Sequence, residues 1–198
     1  MRILLAAIEC AKGDPAANLD THERVLREAA RLGARMAVFP EMSLSGSAEP
    51  STQAGWLLPL SSPYVSDLAA LTATHGVAAV FGIAEAAADG RAHITQVYAD
   101  AGKVSGVYRK RHLGDGEEAF TPGRAPALFR LDELSFGVAI CAEGGVDYPF
   151  DEPVAAGAAI VLFSAAPGLY GPRRGSDADW QRGFDWWESC GLGDARRH

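Results

Sequence analysis

Apolar and polar positions fall into blocks along this chain, and the blocks predict strands and helices in turn. Residues 2–9 are a short, nearly continuous apolar run, the pattern of a strand covered on both faces. Asn18 or Asp20 is placed to cap a helix that reaches about Leu32 and ends at Gly33, with Val25, Leu26, Ala29, Ala30 and Leu32 on its apolar side. A second strand is expected over 34–39, then a loop over 44–63 holding several Ser, Gly and Pro. A helix over 64–75, ended by Gly76, leads into a strand over 77–84. Residues 93–99 and 103–108 read as a strand pair around the turn Asp100-Ala101-Gly102. A polar loop, 114–123, precedes a second pair, 127–131 and 134–140, across Asp132-Glu133. A helix around 152–156 ending at Gly157 and a strand over 159–164 follow. The last expected element is a helix over 177–190 whose Trp180, Phe184 and Trp187 share one stripe.

Helices alternating with strands, mixed with hairpins, predict an α/β protein with mixed sheets. No G-x-G-x-x-G follows the first strand and no P-loop appears. With 198 residues, no repeats and no internal linker, a single domain over 1–198 is expected. The net charge of -7, without a Lys/Arg stripe, argues against nucleic acid or an anionic membrane as partner. Nothing approaches the roughly 20 apolar residues of a membrane span. Three cysteines, Cys10, Cys141 and Cys190, have no paired spacing, which suits a reducing, cytoplasmic setting.

Three charged or nucleophilic residues each follow an apolar run. Ala37-Val38-Phe39-Pro40 delivers Glu41, the run ending in Val107-Tyr108-Arg109 delivers Lys110, and Phe136-Gly137-Val138-Ala139-Ile140 delivers Cys141 before the turn Ala142-Glu143-Gly144-Gly145. A carboxylate, an ammonium and a thiol at strand ends can serve as base, oxyanion stabiliser and nucleophile in acyl transfer. Taken singly, each has an ordinary structural role: a small core thiol, a surface carboxylate, a solvated lysine. His112 is the only histidine near these motifs, and His22-Glu23 starts like H-E-x-x-H but meets Leu26 where the second histidine would stand. No metal site and no cofactor follow.

The segments Phe39-Pro40-Glu41-Met42-Ser43-Leu44-Ser45-Gly46, Tyr108-Arg109-Lys110-Arg111-His112-Leu113 and Gly137-Val138-Ala139-Ile140-Cys141-Ala142-Glu143 resemble, in order and separation, the three signatures of the carbon–nitrogen hydrolase (nitrilase) superfamily. The resemblance implies Glu41 as base, Lys110 as oxyanion stabiliser and Cys141 as nucleophile; on chemical grounds the backbone N–H of Ala142 is the natural second oxyanion donor. A second glutamate after the lysine is implied as well; Glu117 fits the spacing better than Glu118. The implied fold is an αββα sandwich of two mixed sheets flanked by helices, forming a homodimer or higher homo-oligomer. Ala142, where nitrilases proper carry Trp, favours amidase or carbamoylase chemistry on a small amide or N-carbamoyl substrate. An acyltransferase would use the same residues, and an idle copy would serve as a subunit or small-molecule binder. Against the family's length, the chain is expected to lack the last strands of the second sheet. Pocket residues are expected from 44–59, the loop holding Glu117, and 164–172.

Overall fold

The computed structural model describes residues 1–166. The expected helix over 177–190, its aromatic stripe, Cys190 and most of the 164–172 loop lie outside the described residues. Among the described residues, eight strands form two mixed sheets. In the first, β1 (Ile3–Leu5), β2 (Met36–Val38) and β3 (Ala78–Ala86) run parallel, and β4 (Ala92–Asp100) and β5 (Lys103–Arg109) continue antiparallel. In the second, β7 (Leu134–Ile140) pairs antiparallel with β6 (Phe129–Leu131) and parallel with β8 (Ile160–Ser164).

Side-chain alternation along the strands builds two layers of core. Met36, Val38, Ala78, Val80, Ile94, Tyr98 and Tyr108 face Phe136, Val138, Ile140 and Leu162 between the sheets. The opposite face of the first sheet, with Ala37, Ala79, Phe81 and Val97, packs on α1 (Pro15–Arg31) and α2 (Pro63–His75). The third helix, α3 (Tyr148–Ala155), lies on the outer face of the second sheet, where a side chain on Gly137 would meet Pro153. The αββα arrangement expected from the resemblance is the arrangement found.

Several expected boundaries are corrected. The first strand spans three residues instead of eight, and Leu5 is exposed, because β1 lies at the end of its sheet. Helix α1 starts earlier: Asp14 caps it, accepting from the Ala17 N–H at 3.0 Å, and Pro15 supplies a fixed first-turn φ. Asn18 is instead buried within that helix and bonds the backbone of Ala11 and Leu44. The 44–63 loop holds a 3-10 turn, Ala54–Trp56, and Leu58 bridges to Glu85. Helix α3 begins four residues earlier than the hydrophobic pattern placed it, with Pro149 in its first turn. No helix among the described residues is long and apolar enough to cross a membrane.

Candidate active site

Glu41 is held by a turn that crosses the middle of β3. Phe39 donates to Val80 O and Leu44 to Gly82 O, so the chain leaves and rejoins β3 on either side of Glu41. Met42, the next residue, has a φ of +48°, a left-handed conformation unusual for a side-chain-bearing residue. The turn lies so close to the strand that a Cβ on Gly82 would stand 2.2 Å from the Met42 nitrogen. Beneath it, the Ser43 hydroxyl accepts from the Gly82 N–H (3.1 Å) and lies 3.0 Å from His22 Nε2. His22 Nδ1, 2.7 Å from the Asn18 carbonyl, carries the proton of a neutral ring, and burial pushes its pKa down to about 4. Helix α1 is thereby tied to the Glu41 turn.

Lys110 follows β5 and continues its pairing, donating its N–H to Ile94 O. Strand alternation sends Arg109 outward, onto buried Glu85 at 2.8 and 2.5 Å, and Lys110 inward. The Lys110 ammonium is buried and donates to Glu41 Oε1 at 2.8 Å and Glu117 Oε1 at 2.7 Å. Burial alone would lower its pKa, but the two carboxylates outweigh that and the net direction is upward. Glu117 Oε2 accepts from the Gly114 N–H at 2.7 Å, which fixes the carboxylate on the lysine. Glu118 is exposed and accepts from the Gly116 N–H at 3.1 Å, away from the lysine. His112 is exposed too, and contributes its backbone N–H rather than its ring.

Cys141 leaves β7 with a φ of +47° and opens a 3-10 turn, Cys141–Gly145. A left-handed φ on a residue with a Cβ costs roughly 1–2 kcal/mol, and such strain persists where the surroundings over-determine it. The half-buried thiol is hydrogen-bonded to Glu41. Burial first, and then the Glu41 charge, push it up to about 12 despite the opposing pull of Lys110. The resting thiol therefore keeps its proton at neutral pH. Burial also pushes the Glu41 carboxyl up, with Lys110 pulling the other way. A carboxylate made more basic beside a protonated thiol can take that proton when the sulfur attacks.

Glu143 went unread in the sequence. It is fully buried and accepts from Ile140 N, Arg111 N, His112 N and Tyr108 Oη at 2.8, 2.7, 3.2 and 2.8 Å. Three of its four donors are main-chain N–H groups, two of them about 30 residues away, which no side-chain pattern announces. The signal present was an acid inside an otherwise uncharged glycine-rich turn.

The chain is similar to several known proteins. The chain is 28% identical over 176 residues to Hydrolase Rv0480c of Mycobacterium tuberculosis, covering 85% of this chain and 62% of that protein. It thus spans about three fifths of that curated relative. Its fold superposes on the NitN amidase from Nesterenkonia sp. AN1 with a TM-score of 0.74 at 26% identity, over 87% of this chain and 69% of the other. The glutamine-dependent NAD+ synthetase of Acinetobacter baumannii matches with a TM-score of 0.71 at 20% identity, over 85% of this chain and 32% of that one. The carbon-nitrogen hydrolase family model matches residues 4–183, nearly the whole sequence. The chain belongs to the carbon–nitrogen hydrolase family.

Proposed function

We propose that this chain is an amidase-like hydrolase that converts a small amide or N-carbamoyl compound and water to an acid plus ammonia or amine, through a thioester on Cys141. One observation carries the reading: a buried lysine held between two carboxylates, one of which also bonds the thiol. In the first step the Cys141 sulfur attacks the carbonyl carbon and its proton passes to Glu41. The carbonyl π pair moves to oxygen, giving an oxyanion. Two of the three Lys110 N–H bonds are engaged by Glu41 and Glu117, which leaves the third for that oxyanion. The Ala142 N–H, early in the 3-10 turn where an intrahelical acceptor is missing, is the second donor. When the carbonyl re-forms, the C–N bond breaks and Glu41 returns its proton to the departing nitrogen. Water then attacks the thioester with Glu41 again as base, the C–S bond breaks, and the thiol regains its proton. Glu117 takes no proton in this scheme; it aims the ammonium.

A variant of the Nesterenkonia amidase, a structural neighbour, carries the acetamide moiety of fluoroacetamide on its active-site cysteine, an alkylation rather than an acylation, which supports a nucleophilic thiol at that place in the fold. The test is intact-mass analysis of the full chain with a library of small amides and N-carbamoyl compounds. An acyl adduct mapped to Cys141 and lost in Cys141→Ala is the expected result. Turnover surviving in Cys141→Ala, or adducts on Cys10 alone, overturns the assignment.

A further inference from the structure

We infer that Glu143 is a positioning residue that sets the Cys141 thiol against the Lys110 ammonium, an inference that rests on Cys141 being the nucleophile. Its two oxygens divide the work. Oε1 accepts from Tyr108 Oη, Arg111 N and His112 N, residues on both sides of Lys110. Oε2 accepts from Ile140 N, the residue before Cys141. One planar carboxyl therefore bridges the two segments that carry the ammonium and the nucleophile. The bridge is rooted two residues beyond Cys141, inside the same 3-10 turn.

The chemistry of the donors makes the residue type specific. Four hydrogen-bond donors converge on Glu143, and an acceptor-only carboxylate satisfies all of them. A glutamine of the same shape would turn an NH2 toward either the Ile140 N–H or the Arg111 and His112 N–H groups, donor against donor, in a fully buried place. Among the described residues Glu143 makes its hydrogen bonds to Tyr108, Arg111, His112 and Ile140 and not to Glu41, Lys110 or Cys141, so whatever it contributes to reaction passes through the backbone it holds. The left-handed φ of Cys141 gives that backbone something to resist: a strained residue relaxes when the groups around it loosen.

Site-resolved labelling of the full chain with iodoacetamide, an alkylating agent bearing a primary amide, separates positioning from mere stability. In wild type, Cys141 is expected to react faster than Cys10, with Glu41 taking its proton. In Glu143→Gln, Cys141 should slow by about tenfold or more, since small misplacement at a reacting centre is costly in rate, while Cys10 is unchanged. Glu143→Asp keeps the charge but is one methylene too short to reach both segments. It should fold and still slow Cys141, and it carries the test if the Gln variant does not fold. A purely structural role predicts the opposite sign, with a lower melting temperature and both half-buried thiols labelled faster. That result, or a folded variant labelling Cys141 at the wild-type rate, overturns the inference. Wild-type Cys141 labelling no faster than Cys10 instead removes the nucleophile reading, and this inference with it.

Discussion

A thiol that holds its proton at neutral pH is a weak nucleophile unless a base acts as it attacks. Cys141, pushed up to about 12 by burial and by Glu41, is such a thiol. Glu41 thus has two opposed effects, raising the equilibrium pKa of the sulfur and removing its proton in the reaction. Glu41→Gln separates them. The charge that lifts the thiol is gone while Lys110 remains, so the Cys141 titration should move down from about 12, read as thiolate absorbance against a Cys141→Ala control. Amide turnover should nonetheless fall by about 10²–10⁴, the usual contribution of a positioned general base. A variant with the lowered titration and undiminished turnover would mean that Glu41 restrains the thiol without serving as base. That Glu41, Lys110 and Cys141 meet was legible in the sequence because each follows an apolar run, and strand ends of facing sheets converge. Glu143 was not, since main-chain N–H groups of Ile140, Arg111 and His112 leave no mark on residue type.

At the scale of elements, the Glu41 turn and β3 are fitted to each other through a missing side chain. The Gly82 Cα lies under the turn; a Cβ there would meet Met42 N at 2.2 Å and the Glu41 carbonyl carbon at 2.8 Å. Both are backbone atoms and cannot rotate away. Gly82→Ala should therefore cost about 1–3 kcal/mol as overpacking, seen as a lower melting temperature. It should also displace the Glu41 carboxyl from Cys141, and an error near 1 Å can cost about 10²-fold in rate. Lower stability with an unchanged kcat would show that β3 supports the turn without setting it. The strand itself was readable: the run over 77–84 predicts Ala78–Ala86, and Asp100-Ala101-Gly102 marks the β4–β5 hairpin that is found. The start of α1 was misread because Asn18 is as good a cap as Asp14 on residue type alone. Its side chain is taken instead by the backbone of Ala11 and by that of Leu44, the latter a contact that exists only once the Glu41 turn has docked. A cap is local, whereas this competition for Asn18 is tertiary.

Across the whole molecule, buried titrating groups set the pH range in which the fold is held. His22 is neutral, wedged between the Asn18 carbonyl and the Ser43 hydroxyl and packed at a tilt against Phe39 with ring centroids 4.2 Å apart. Its pKa is about 4 when folded and near 6.5 when free, so below pH 6.5 the unfolded chain takes up a proton that the folded chain refuses. By linkage, stability then falls as pH drops from about 6.5 towards 4. The gap corresponds to roughly 3 kcal/mol once both states are protonated. The alkaline side has the mirror behaviour. Cys10, raised to about 11, and Cys141, raised to about 12, keep protons that the unfolded thiols release near 9. Stability therefore declines as pH rises from about 9 through those values. Replacing His22 by Gln should lower stability at pH 7, because the tie between α1 and the Glu41 turn is lost, yet leave a shallower acid limb. Urea unfolding at a series of pH values between 4 and 8 reads both effects. An acid limb as steep in His22→Gln as in wild type would assign the acid sensitivity to the carboxylates, and the histidine would be only a packing element between helix and turn.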